Sequence, residues 1–153
     1  MLGFSARALG PLLILCLIVT GCSIPRWPVS APVSSPFGLR FLGWRPDFHN
    51  GVDLAVPVGS PVTAMKKGDV AFAGDMSGYG RVVILQHGPR LRTVYGHLSE
   101  ILVRTGDRVA NGQVIAKSGR SGNASGAHLH FEIQRWGREE DPVELLGGLP
   151  PRD

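Results

Sequence analysis

Downstream of residue 36 the apolar positions come in short runs rich in Val and Ile, each ended by glycine or a turn-forming pair. Asn50-Gly51, Ser77-Gly78-Tyr79-Gly80, Gly106-Asp107, Asn111-Gly112 and Ser121-Gly122-Asn123 are the turn signals between them. The period of two predicts strands over 61–64, 68–74, 81–87, 92–97, 109–114, 115–118 and 129–134. No segment carries an apolar stripe at helical spacing over three turns, so helix is limited to single turns expected at 98–103 and 142–146. The fold class expected is mainly β: a compact antiparallel β-sheet domain with few or no helices. At 153 residues the chain has room for one such domain.

The last apolar run is also where chemistry concentrates. In Gly126-Ala127-His128-Leu129-His130-Phe131-Glu132-Ile133 the alternation puts His128, His130 and Glu132 on one strand face and Leu129, Phe131 and Ile133 in the core. Two imidazoles on one face can share a metal, or one can bind it while the other handles protons. By itself the pair reads equally well as two surface histidines. Three further histidines, His49, His87 and His97, lie in glycine-punctuated segments that can converge on it. In Phe48-His49-Asn50-Gly51-Val52-Asp53 the turn at Asn50-Gly51 brings His49 and Asp53 to one side. Alone, Asp53 reads as a turn cap and His49 as a solvated loop residue. Two imidazoles with one carboxylate change that reading, because a zinc ion bound by three such groups keeps a fourth position open to water. That is the arrangement of a catalytic zinc, whose water is a nucleophile near neutral pH. There is no His-Glu-x-x-His helix to supply a glutamate base. His97, or whichever of His128 and His130 does not bind metal, titrates in the right range to replace it.

Composition sets the setting. Residues 12–19 are a short apolar run preceded by Arg7 and no acid, with the length of a signal-peptide core and not of a membrane span. It ends in Val19-Thr20-Gly21-Cys22, which resembles the lipobox of bacterial lipoproteins. The resemblance implies cleavage after residue 21 and acylation of Cys22, and Ser23 implies the outer membrane where a cell has one. Several acyl chains anchor firmly where one does not. Cys16 and Cys22 are the two cysteines, so the mature domain holds no free thiol and no disulfide. Pro25, Pro28 and Pro32 with Ser30, Ser34 and Ser35 predict an extended tether over 22–35, a domain over 36–147 and a short tail over 148–153. The net charge of +4 suits an anionic wall polymer, and scattered basic residues in an exported chain argue against nucleic acid.

Two resemblances complete the reading. Around Gly68-Asp69-Val70 and Gly106-Asp107-x-Val109 a Gly-Asp turn-to-strand pattern repeats, similar to the hybrid barrel–sandwich folds of biotinyl and lipoyl carriers, but the Asn111-Gly112 tip lacks the carrier lysine. The ordered set Phe37-Gly38-x-Arg40, His49-x-Gly51-x-Asp53, Tyr95-Gly96-His97-Leu98 and His128-Leu129-His130-Phe131 resembles the lysostaphin/LytM-type zinc endopeptidases of peptidoglycan. That resemblance covers roughly residues 36–133. It implies a small β-rich domain of hybrid barrel–sandwich type with a narrow groove holding one Zn2+. Carried over, His49, Asp53 and His130 bind the zinc, while His97 and His128 are the catalytic histidines. Arg40 and Asn50 are the candidate substrate contacts, Arg40 for a peptide carboxylate; the alternative for Asn50 is that it only makes the turn. His87 reads as a structural residue, and Glu132 either supports the His pair or is an exposed strand acid. The implied function is hydrolysis of wall peptide cross-links from a lipid anchor; the alternative is a non-hydrolytic activator of a cell-wall amidase.

Overall fold

The computed structural model describes residues 24–152. The expected signal peptide and Cys22 lie outside the described residues. Thirteen strands and one helical turn follow the chain: β1 Val33–Ser35, β2 Gly38–Leu42, β3 Arg45–His49, β4 Val52–Leu54, β5 Pro61–Thr63, β6 Gly68–Met76, β7 Gly80–Gln86, β8 Leu91–Leu98, β9 Glu100–Ile101, β10 Arg108–Val109, β11 Val114–Lys117, β12 Leu129–Arg135, β13 Arg138–Glu140 and α1 Pro142–Leu145. The main sheet runs β1-β4-β12-β8-β7-β6-β10, with β13 pairing the second half of β12 along the edge that β4 pairs in its first half. A three-stranded sheet, β5-β11-β9, packs against it, and β2-β3 form a separate hairpin. Every pairing is antiparallel, as the alternation of apolar and polar positions requires of half-solvated strands. The sheets do not close into a barrel. Among the described residues no helix is long and apolar enough to cross a membrane.

The core is the apolar face of β4, β7, β8 and β12 closed by the small sheet. Val52, Leu54, Leu85, Tyr95, Leu129 and Phe131 are wholly buried there. Tyr95 carries the core's polar handle. Its hydroxyl accepts from the Met65 amide at 3.0 Å, and burial pushes its pKa up to about 12.

Several sequence expectations need correction. The tether does not extend to residue 35. Trp27, Val29, Ala31 and Val33 alternate with polar and proline positions, and this apolar edge packs on the core while β1 pairs with β4. A proline-rich segment is extended, and extended chain is what a sheet edge accepts. The tail is likewise engaged, since Trp27 Nε1 donates to the Gly148 carbonyl at 3.2 Å. The helical turn expected over 98–103 is instead the end of β8 and the short β9, because Ala116 and Lys117 of β11 pair with Ile101 and Glu100.

His87 sits at the end of β7, where Nδ1–H donates to the Lys67 carbonyl at 2.9 Å and Nε2 lies 2.7 Å from the Thr93 hydroxyl. Burial depresses its pKa, with the Lys67 carbonyl opposing that push. The unfolded chain therefore takes up a proton near pH 6.5 that the folded chain refuses until lower pH. Stability linked to His87 is complete above pH 6.5 and is lost as the pH falls through the depressed folded value. Denaturant midpoints taken at pH 7.5 and pH 5 will fall more for the parent chain than for His87→Gln; equal falls would remove this linkage.

Candidate metal centre

Strand register brings the chemistry together. β12 pairs with β4 so that His130 stands opposite Asp53, and with β8 so that His130 stands opposite Gly96. Directly opposed residues share a face, so the Asp53 carboxylate and the His130 imidazole project side by side. Gly96 leaves the third place empty: a Cβ there would lie 3.4 Å from His130 Cβ and 3.2 Å from Tyr79 Cδ1. His49 ends β3, and the Asn50-Gly51 turn folds it back over Asp53. Gly51 is required at that turn by contact and not by backbone angle, since a Cβ would overlap the Phe131 carbonyl.

Three ligand atoms converge. His49 Nε2 lies 3.1 Å from His130 Nδ1 and 3.2 Å from Asp53 Oδ1, and His130 Nδ1 lies 2.9 Å from Asp53 Oδ1. The outer faces of the rings fix their tautomers. His49 Nδ1–H donates to the Pro36 carbonyl at 2.8 Å, and His130 Nε2–H donates to the Glu132 carboxylate at 2.9 Å. Both inward nitrogens therefore present lone pairs to each other and to a carboxylate oxygen. With both rings neutral the three are acceptors with no donor among them, so a cation must sit between them: a metal or, without one, a proton on His130. Their separations approach the roughly 3.3 Å expected between ligands around a tetrahedral zinc with bonds of about 2.0–2.1 Å. His49, Asp53 and His130 thus fit a metal, and the donor types suit zinc.

The electrostatics point the same way. Burial disfavours charge on Asp53, yet hydrogen bonds to His130 and His49 hold its carboxyl well below the usual carboxylate range. Glu132 is fully buried, and despite that burial the bonds from His130, Tyr79 and Gln134 keep its carboxyl below its ordinary value. Burial likewise opposes charge on His130, but Asp53 and Glu132 prevail and push its pKa up to about 9. Two ionised carboxylates around the trio draw positive charge inward. Arg40 adds to this from the rim, with Nη1 3.8 Å from Asp53 Oδ2 and Nε donating to Asp47 at 2.8 Å.

His97 and His128 stand beside the trio, not in it. Their ring centroids are 4.7 Å apart, and His128 Nε2 is 3.6 Å from Asp53 Oδ1. Each donates Nδ1–H to a carbonyl, His97 to Ser121 at 2.8 Å and His128 to Gly126 at 3.0 Å, which leaves Nε2 as the free ring nitrogen. Burial holds the His97 pKa below its ordinary value, the Ser121 carbonyl opposing and the His128 ring adding to the fall. His97 has φ of 60°, a left-handed conformation that costs of the order of 1–3 kcal/mol outside glycine. Backbone on both sides enforces it: His97 N–H donates to the Tyr79 carbonyl at 2.8 Å, and Gly119 packs too close to the His97–Ser99 backbone for any Cβ.

All five expected site residues, with Arg40 and Asn50, line or floor one cleft of about 450 Å³. His87 is outside it. Of the two readings of Glu132, the supporting one holds. Sequence reasoning missed Tyr79, whose hydroxyl donates to Glu132 Oε1 at 2.7 Å and whose ring lies 5.6 Å from that of His130. A bulky aromatic between two turn glycines was the available signal. Such outer partners orient a ligand and raise its basicity, and their loss lowers metal affinity about 10–100-fold. Glu132→Gln will show a drop of that size in zinc titrations against a chromophoric chelator, with the circular dichroism spectrum unchanged. An unaltered affinity would leave Glu132 without that role.

Residues 47–142 match Peptidase family M23. The chain is 43% identical over 126 residues to the peptidoglycan DD-endopeptidase ShyA of Vibrio cholerae, covering 79% of this chain and 29% of that one. It is 34% identical over 134 residues to the murein hydrolase activator EnvC of Escherichia coli (83% and 31%) and 37% identical over 130 residues to a lipoprotein NlpD/LppB homolog of Pseudomonas aeruginosa (84% and 42%). The chain thus spans less than half the length of these curated relatives. The catalytic domain of lysostaphin from Staphylococcus simulans superposes with a TM-score of 0.71 at 31% identity, over 77% of this chain and 93% of that one.

Proposed function

The chain belongs to peptidase family M23, and from that premise we propose that it is a zinc-dependent endopeptidase hydrolysing peptide cross-links of peptidoglycan. The observation that carries the reading is the trio itself: two inward lone pairs and an ionised carboxylate oxygen within 3.2 Å of one another, each ring locked from outside. Zinc held by His49, Asp53 and His130 supplies a Lewis acid and a water of pKa about 7.

The remaining steps belong to the chain. His97 and His128 present free Nε2 atoms into the cleft, where an imidazole accepts the proton given up by the attacking water and as imidazolium donates to a developing oxyanion. One of the pair then passes its proton to the amine that leaves. Glu132 and Tyr79 keep His130 in its tautomer, and the Pro36 carbonyl does so for His49. Arg40 at the rim suits a peptide carboxylate, and Asn50 lines the same cleft.

Anchoring belongs to this reading as well. The Val19-Thr20-Gly21-Cys22 pattern and similarity to a relative named as a lipoprotein support acylation at Cys22 and an envelope location, on the outer membrane facing the periplasm in a didermic cell. Similarity to EnvC supports the second reading, activation of a cell-wall amidase without hydrolysis. Digestion of purified peptidoglycan separates the two. Peptide-bond products identified by mass, and absent after chelation, are expected. A folded, zinc-loaded chain that releases none would favour the activator. Palmitate labelling that survives Cys22→Ser would remove the anchor.

A further inference from the structure

The strands act as rulers. On β7, Gly80, next to the cleft-lining Tyr79, and Gln86 lie at opposite ends of the domain; on β8, His97 and Leu91 are so divided, and on β12, His130 and Arg135. Five to six residues of strand span about 17–20 Å. The end remote from the cleft is where the described chain begins. The Ile24 carbonyl accepts from Asn111 Nδ2 at 3.2 Å, and Arg26 N–H donates to the Met65 carbonyl at 3.0 Å. Pro25 lies between two hollows, one lined by Lys66, Lys67 and Arg108, the other by Arg90 and Arg135.

We infer that this end is a membrane-docking face: it lies on a bilayer of anionic lipid and holds the cleft about 17–20 Å away from the surface, facing the wall. The inference rests on the Cys22 anchor of the proposed function and adds the orientation. Two observations on the chain carry it. Because the presumed tether is packed into the domain, Cys22 precedes Ile24 by only two residues, a reach of at most about 7 Å. The acylated residue is thus tied to the remote end and cannot let the domain roll freely. The surface it is tied to is also chemically suited to headgroups. Lys67, Arg90 and Arg108 are exposed on this end of the domain, and basic side chains near an anionic leaflet are drawn to its headgroups. Exposed Trp136, over whose ring Arg90 stacks at 4.0 Å, adds the amphipathic aromatic typical of the interface. Arg108 is shared with Asp69 in an exposed pair, and Arg135 with Glu140, so the net charge of the face comes chiefly from the others.

The test uses the full acylated chain reconstituted into vesicles of phosphatidylcholine with or without phosphatidylglycerol. Cys22 is blocked by acylation, so a single cysteine introduced as Arg92→Cys at the remote end or Asn123→Cys at the cleft accepts a fluorophore, read against an acceptor in the headgroups. With phosphatidylglycerol, transfer from position 92 will exceed that from position 123 several-fold. Lys67→Glu/Arg90→Glu/Arg108→Glu will bring the two closer, and the unfolding midpoint reports whether that variant is folded; Lys67→Glu alone is the milder substitute. Equal transfer from both positions in anionic vesicles, or a difference that survives charge reversal in a folded chain, overturns the docking face while the anchor stands. A chain that fails to float with the vesicles overturns anchor and docking face together.

Discussion

Replacing His130 with alanine will abolish hydrolysis of purified peptidoglycan, a fall of at least about a thousandfold. On the proposed reading, the several kcal/mol of transition-state stabilisation that a bound zinc would supply is withdrawn when one of its three ligands is lost. The cost is compounded by what His130 holds together. Its Nδ1 faces Asp53 Oδ1 at 2.9 Å and its Nε2–H satisfies Glu132, which is fully buried. Without the ring, Glu132 keeps donors from Tyr79 and Gln134 but loses the bond that ties it to the centre. Zinc titration will show weakened binding in parallel with lost activity. His87→Gln is the matched control: it changes another partly buried histidine outside the cleft and will keep its products. A His130→Ala protein that is folded and still releases peptide products would refute the ligand assignment, and one that binds zinc as tightly as the parent would do so independently.

Gly51→Ala will destabilise the domain by about 3 kcal/mol or more, read as a lowered denaturant midpoint, and will weaken zinc binding with it. The added methyl group would overlap the Phe131 carbonyl and come within 2.9 Å of Glu132 Cγ. The obstacle is mostly backbone of β12, which cannot rotate away as a side chain can, so the insertion falls at or above the upper end of overpacking costs. Residue 51 links two of the ligands, and any shift that relieves the clash moves His49 or Asp53. Gly126→Ala separates this from a general intolerance of glycine replacement, since its methyl group would meet nothing within 4 Å. That variant will stay within about 0.5 kcal/mol of the parent. A Gly51→Ala midpoint equal to that of Gly126→Ala would show that the turn can move without consequence.

Much of this molecule is legible in the chain. The alternation of Leu129, Phe131 and Ile133 with His130 and Glu132 states which face is buried, because a strand has no other way to present side chains two residues apart. Strands β5, β6, β7, β8, β11 and β12 follow from the same rule, and so does the family, through four ordered motifs. The pieces that were missed share a cause. Strands β1, β4, β9 and β13 have two or three residues each, too few for a period to appear. The hairpin of β2 and β3 leaves Leu39, Phe41 and Phe48 exposed, so burial imposes no pattern on it. The segment from Trp27 to Val33 did alternate, but its prolines and serines read more loudly as linker.

The sequence by itself determined that this is an antiparallel β domain carrying five histidines and an aspartate in a particular order, and the family that order resembles implied which of them would meet. Local spacing places two side chains on one face, and the family resemblance completes that pair into a ligand set. Only the tertiary structure decided how they meet. The opposition of His130 to Asp53 and Gly96 is a matter of register between strands more than thirty residues apart, and no local period encodes register across such distances. The tautomers of His49 and His130 depend on the Pro36 carbonyl and the Glu132 carboxylate, the left-handed turn at His97 on Tyr79 and Gly119, and the buried Glu132 on Tyr79. The separation of the cleft from the entry of the chain, one strand length, is likewise a property of how the sheet is laid down. Hydrogen bonds and close contacts between distant segments exist only once the chain has folded, and they turn a list of candidate ligands into a centre with a charge, an orientation and an outside.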